Sequence, residues 1–242
     1  MIQIAIISDI HANLIALNEV LNDIQNRSIY QIYCLGDLVD FAPWGNEVIE
    51  KIQNKGIPCL LGNHDERIAF DVPIVPLAHH DQKETINRLV AINHSKTTIT
   101  YENKKWLASL PYNLELTYKI NDVTKKILLV HAGLMSNDTY IYESDLKNEL
   151  AQELSNKSID AVIMGHTHFS YIQNQSDVLF VNSGSVGRNR ERDRKATYCI
   201  LSITKKEITA EIIKVDFNIQ EVAKQIYNSD IPDFYGDFLL NK

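Results

Sequence analysis

Residues 2–24 read Ile-Gln-Ile-Ala-Ile-Ile-Ser-Asp-Ile-His-Ala-Asn-Leu-Ile-Ala-Leu-Asn-Glu-Val-Leu-Asn-Asp-Ile. An apolar run, 2–7, stops at Ser8 and is followed at once by Asp9 and His11. From Asn13, a good N-cap, Leu14, Leu17, Val20, Leu21 and Ile24 then recur at helical spacing. Working outward, Ile32–Leu35 reads as a second strand, Glu47–Lys55 as a helix closed by Gly56, and Ile57–Leu61 as a third strand. Strand, helix, strand, helix, strand implies a parallel sheet.

The remainder is more varied. Residues 66–112 are helix-rich, with Ile86, Leu89 and Val90 suggesting one helix and Trp106, Leu107 and Leu110 a second that stops at Pro111. Leu114, Leu116, Tyr118 and Ile120 alternate as in a half-buried strand; Asn121-Asp122 is turn-like and 127–130 is apolar throughout. Leu146, Leu150 and Leu154 mark a helix before a strand at 161–164. Strands follow near 178–181, 197–203 and 208–215, with Lys205-Lys206 at a turn, and a helix near 220–227 precedes a tail with no readable pattern. With no repeat or linker in view, 1–242 reads as one domain. Segment 66–112 is open to two readings, a lid or ordinary scaffold.

Composition narrows the class. Of 242 residues, 45% are hydrophobic and 23% charged, as in an ordinary globular chain. No apolar run approaches the roughly 20 residues of a membrane span, so no membrane role is expected. The first residues lack a basic n-region and a small-residue cleavage site, so cytoplasmic residence is the expectation. Cys34, Cys59 and Cys199 sit in apolar runs without C-x-x-C spacing and read as buried reduced thiols. The net charge of −7 argues against broad attraction to nucleic acid. Nothing in the sequence sets an oligomeric state.

The informative pattern is where polar residues fall. Each of five strand candidates is followed, within one to five positions, by metal-capable side chains. These are Asp9 and His11; Asp37 and Asp40; Asn63, His64 and Asp65; His131; and His166 and His168. Ligands in an open α/β sheet bind beyond the carboxyl ends of its strands, so these residues would converge on one rim. Any one alone is weak; five on the same side are not. His79, His80 and His94 lie in the helical region and read as surface or core residues. Carboxylate, imidazole and amide oxygen without thiolate suit Mn²⁺, Fe²⁺, Zn²⁺, Co²⁺ or Ni²⁺, and several imidazoles argue against Mg²⁺ or Ca²⁺. Asp9, His11, Asp37, Asn63, His131, His166 and His168 are too many for one tetrahedral ion but enough for two ions sharing a carboxylate. Two aspartates and two divalent ions make a site of about +2, which suits a phosphate ester.

In order, Ser-Asp-Ile-His-Ala-Asn (8–13), Gly-Asp-Leu-Val-Asp (36–40), Gly-Asn-His-Asp (62–65), Val-His-Ala-Gly (130–133) and Gly-His-Thr-His (165–168) resemble the calcineurin-like metallophosphoesterase superfamily. Val-Asn-Ser-Gly-Ser-Val-Gly (181–187) resembles a loop of its small prokaryotic phosphodiesterase branch. The resemblance spans roughly 1–200 and implies an α/β fold, a four-layer α/β/β/α sandwich of two mixed β-sheets flanked by helices. It implies that Asp9, His11 and His168 bind one metal, that Asn63, His131 and His166 bind the second, and that Asp37 bridges them. Mn²⁺ is the first expectation for both ions, with Fe, Zn, Ni or Co as alternatives. His64 is implied as a catalytic residue beside the substrate, oriented by Asp40. The implied reaction is hydrolysis of a small-molecule phosphodiester or phosphomonoester by a metal-activated hydroxide. Ala12 stands where glycine is usual, and Ser183 where proline is common.

Arg188, Arg190, Arg192, Arg194 and Lys195 crowd the loop after the glycine-rich segment, mixed with Glu191 and Asp193. They are either an internally paired solvated loop or a source of substrate contacts. Arg190 is the preferred candidate for the latter, since the family loop often carries arginine there. The rival functions are a non-catalytic metal-binding scaffold of the same fold and a nuclease.

Overall fold

The computed structural model describes residues 1–77, 80–146, 154 and 156–242. Two mixed sheets form its centre. In the first, β1 (Ile2–Ile7) runs parallel to β2 (Ile32–Cys34) and antiparallel to β8 (Ala196–Ile203), which pairs antiparallel with β9 (Ile208–Val215), giving the order β2-β1-β8-β9. The second contains β3 (Asn113–Ile120), β4 (Val123–Val130), β5 (Ala161–Met164), β6 (Tyr171–Gln175) and β7 (Val178–Asn182), in the order β3-β4-β5-β7-β6. There β4, β5 and β7 are parallel and the two edge strands antiparallel.

Alternation along the strands explains the layers, since successive side chains point to opposite faces. Ile4 and Ile6 of β1 join Ile127, Leu129, Ile163, Val181 and Leu201 in the core between the sheets. Ala5 and Ile7 face the other way, toward Leu17, Val20 and Ile24 of α1 (Leu14–Asn26) and Ile49 and Ile52 of α2 (Gly45–Asn54). On the far side of the second sheet, Val130, Val162, Met164 and Phe180 cluster with Leu146, Leu154 and Ile159. At about 1.5–3 kcal/mol for each fully buried aliphatic side chain, these clusters supply the main drive to fold. Of the helix expected over Leu146, Leu150 and Leu154, Leu150 lies outside the described residues, as does His79.

One expectation is corrected. Residues 57–61 make only an isolated parallel bridge, Cys34 with Cys59, instead of a strand. Pro58 has no N–H to give the ladder, and Leu61 N donates to Pro111 O at 2.8 Å instead. The helix marked by Ile86, Leu89 and Val90 exists as α4 (Gln82–Thr98), but those three residues are exposed. Its buried face is Arg88, Ala91, Ile92 and Ser95. Two short helices, α3 (Asn63–Ala69) and α5 (Tyr101–Leu107), flank it. The unreadable tail folds as α7 (Phe234–Leu239) after α6 (Ile219–Tyr227), and Tyr235 and Leu239 pack with Ala12, Phe41 and Ile226. The methyl group of Ala12 therefore belongs to this cluster. The three cysteines are buried and free.

Candidate metal centre

The loops after β1, β2, β4 and β5, with the start of α3, bring the seven expected ligands together. Asp9, His11 and His168 offer atoms within 4.8 Å of one another, and so do Asp37, His131 and His166. All six are buried. Asn63 joins the second group, its Oδ1 lying 3.1 Å from His131 Nε2 and 3.1 Å from His166 Nδ1.

Each carboxylate divides its work. Asp9 Oδ2 accepts from Ser8 Oγ at 2.5 Å and from His166 N at 2.9 Å. Its Oδ1 has no hydrogen-bond donor and lies 3.1 Å from His168 Nε2. Asp37 Oδ1 accepts from His64 N at 2.8 Å, while Oδ2 stands 3.8 Å from His11 Nε2 and 3.4 Å from His131 Nε2. Asp37 Oδ2 is thus common to both clusters.

Three imidazoles have their tautomer set from behind. Nδ1 of His11, His131 and His168 faces the carbonyl oxygens of Val39, Leu35 and Arg188 at 3.0, 3.0 and 2.8 Å. A carbonyl can only accept, so each Nδ1 carries a proton and turns Nε2 inward; in His11 and His168, which burial keeps neutral, that Nε2 presents a lone pair. His11 Nε2 and His168 Nε2 then face each other at 3.0 Å as two acceptors. That arrangement, like the donorless Asp9 Oδ1 beside them, is unfavourable unless a cation sits between the atoms. The donor set and its geometry therefore fit divalent metal ions.

Charge tells the same story. Burial alone would raise the Asp9 carboxyl, but His168, His131 and His11 outweigh it and hold it far below the usual range. Burial, helped by neighbouring His168, drives His11 down to about 3, and burial with His131 does the same to His166. Burial opposes charge on His131 too, but Asp37, then Asp9 and Asp65, hold it up at about 10. Two ionised carboxylates thus draw a proton onto the second cluster, and a metal ion taking its place would release that proton.

The backbone is bent to make this site. Asp9, His11, Asp37, His166 and His168, five of the seven ligands expected, have φ between +47° and +66°. Left-handed φ costs a non-glycine residue of order 1–3 kcal/mol and is tolerated best by Asp, Asn and His. The loops are pinned by residues that motif reading left without a role. Asp65 accepts from Asp37 N at 2.7 Å, Leu38 N at 2.8 Å and Gly62 N at 3.2 Å. Asn182 donates to Gly165 O at 2.6 Å and Thr167 Oγ1 at 3.1 Å, and Ser185 Oγ donates to Asp9 O at 2.7 Å. Gly36, at φ +99°, lies so close to Gly62 that a Cβ would strike its backbone, which locks the second and third motif loops together. Asp65, Asn182 and Ser185 all fall inside quoted motifs, the only sequence signal that marks them.

His64 sits beside the pair of clusters, its ring centroid 5.1 Å from that of His11. Its Nδ1 lies 2.5 Å from Asp40 Oδ2, the contact the sequence leads one to expect. Burial raises Asp40 to about 7 and, with Arg67 and His11, lowers His64 well below its ordinary value. Both shifts describe a buried pair that resists carrying net charge. The cleft above, about 480 Å³ counted out to solvent, is lined by His64, His166 and His168 together with Arg88, Arg188 and Arg190. Tyr140, Tyr235 and His80 also border it, none of which the sequence had singled out for the site. His94 is half-buried away from it. Two larger hollows, about 1100 Å³ beside Tyr30 and about 1380 Å³ beside Ile172, contain neither ligand cluster.

The sequence model of the calcineurin-like phosphoesterase superfamily domain matches residues 2–206. The chain belongs to that superfamily. This family member is 32% identical over 253 residues to an uncharacterized protein of Methanocaldococcus jannaschii, covering 98% of this chain and 96% of that one. Its fold is similar to that of a metallophosphoesterase from Sphaerobacter thermophilus, with a TM-score of 0.76, 23% identity, and 99% and 98% of the two chains covered. It is similar also to a hypothetical protein from Pyrococcus horikoshii OT3, with a TM-score of 0.81, 20% identity and the same coverage. Family and site agree on a phosphoesterase with two candidate metal sites. Among the described residues, no helix is long and apolar enough to cross a membrane.

Proposed function

We propose that this phosphoesterase is a dinuclear-metal enzyme that hydrolyses a small-molecule phosphodiester or phosphomonoester. The observation that carries the reading is Asp37 Oδ2, common to the two ligand clusters. Asp9, His11 and His168 would hold one ion and Asn63, His131 and His166 the other, with Asp37 shared. Mn²⁺ is the first choice for both. Bound there, such ions lower the pKa of a water and neutralise phosphoryl oxygens during in-line attack.

The chain's own residues do the rest. His64 Nδ1 is engaged by Asp40, which fixes the ring and leaves Nε2 to act on the substrate. In the reaction, water adds to phosphorus and gives up a proton, and the bond from phosphorus to the leaving oxygen breaks. That oxygen takes the proton of His64 Nε2 as Nδ1 takes up the one it shares with Asp40; the proton released by the water restores the pair. Arg190, and Arg188 beside it, border the cleft and would reach the substrate's phosphate or a second anionic group on it. Leu77, His80, Glu84 and Arg88 form one wall of the cleft, which supports a lid role for that part of segment 66–112. Cytoplasmic residence completes the proposal.

The test is turnover of bis(p-nitrophenyl) phosphate and p-nitrophenyl phosphate by the Mn²⁺-loaded protein. Metal-dependent release of nitrophenol is expected. A protein holding two ions that cleaves no phosphate ester would instead be the metal-binding scaffold. Binding to a short oligonucleotide with a steep salt dependence would favour a nuclease.

A further inference from the structure

The loop that follows β7 treats its charges in two ways. Lys214 pairs with Glu191 at 2.5 Å and Asp193 at 2.8 Å, Lys195 with Asp216 at 2.9 Å, and Arg194 Nε donates to Asn241 Oδ1 at 2.9 Å. Arg188 and Arg190, which border the cleft, have no carboxylate within salt-bridge distance among the described residues. Arg188 lies over the rings of Phe41 and Phe238, 4.6 Å from each centroid, and its buried Nε has no partner. A third guanidinium reaches the cleft from α4. Arg88 is only 6% exposed, donates to Val75 O at 3.0 Å, and likewise lacks a carboxylate partner.

Of the described residues bordering the cleft, only Asp37 and Glu84 are acidic, and Asp37 belongs to the ligand clusters. Three arginines without a carboxylate partner among the described residues therefore surround a centre that two divalent ions would make about +2. Like charges gathered in a partly buried cleft repel one another, and a single phosphoryl group is already matched by the ions. The surplus calls for a second anion, and the planar fork of arginine suits phosphate oxygens. We propose that Arg88, Arg188 and Arg190 form a second phosphate subsite. The substrate is then a small phosphate ester that carries a further phosphate group beyond the one hydrolysed. This rests on the hydrolytic reading for the identity of the first group, but the subsite can be tested by binding alone.

The experiment is isothermal titration of the Mn²⁺-loaded protein with thymidine 5′-monophosphate and with thymidine 3′,5′-bisphosphate. Tighter binding of the bisphosphate by about tenfold or more is expected, the scale of one good charge-assisted contact. Arg88→Met and Arg188→Met should cut that ratio to about threefold or less, whereas Arg192→Ala, an exposed residue of the same loop, should leave it unchanged. Arg88→Lys, which keeps the charge but loses the fork, should fall between and stands in if Arg88→Met fails to fold. A wild-type ratio near one, or one that neither arginine variant lowers, would overturn the proposal. An intact preference in a protein that cleaves no ester would overturn the hydrolytic reading and leave the subsite standing.

Discussion

Asp65→Ala removes the acceptor on which the second and third motif loops close, and its cost follows from the geometry. The carboxylate takes three backbone N–H groups, two of them at 2.7 and 2.8 Å and the third at 3.2 Å. Asp65 is fully buried, so water cannot replace it. Stranding a buried N–H costs about 1–3 kcal/mol, which puts the two short bonds alone at about 2–6 kcal/mol. That is a large part of the roughly 5–15 kcal/mol by which domains are stable. Urea denaturation of EDTA-treated protein is the right assay, because bound metal would add its own linkage term. The loss should appear in the midpoint with little change in slope. A loss under about 1 kcal/mol would refute the account of how these loops are held.

Other substitutions test the chemistry more directly. His64→Ala should lower kcat by about 10²- to 10⁴-fold, the usual worth of a proton-transfer group, while metal analysis still finds two ions per chain. Asp40→Asn, which keeps a hydrogen-bond partner for His64 Nδ1 but cannot exchange a proton with it, should cost about tenfold to a hundredfold in kcat with metal content unchanged. Asn182→Ala strands Gly184 N and takes from Gly165 O one of its two donors, the other being Thr167 N. It should cost about 1–3 kcal/mol by denaturation and lower metal occupancy, since His166 and His168 ride on the loop it pins.

Much of this could be read from the sequence because it lies close to strand ends. Asp9, His11, Asp37, His131, His166 and His168 each follow an apolar run that is a true strand, so a local pattern located them. The two-layer sheet arrangement came from family resemblance and could not come from periodicity, because β8 returns to pair with β1 across about 195 residues and β9 then pairs with β8. Segment 57–61 misled for a local reason, a proline at the bridge. On α4 the apolar residues Ile86, Leu89 and Val90 face outward and Arg88 inward, since that helix turns one face to a polar cleft. The resemblance drew attention to Arg190, but Arg188 and Arg88 emerge only when the loop and α4 are seen across the same cleft. Asp65 was marked only as one more metal-capable residue, and Asp65, Asn182 and Ser185 act mainly on backbone groups, so no pattern of chemistry announces their role.

The central claim is that the two clusters hold two ions that serve phosphate-ester hydrolysis. Metal stoichiometry measured on the same Mn²⁺-loaded sample used for turnover of bis(p-nitrophenyl) phosphate and p-nitrophenyl phosphate tests it most directly. The account predicts two ions per chain and turnover that rises with their occupancy and disappears on chelation. One ion or none at saturation, or two ions with neither ester cleaved, would contradict it.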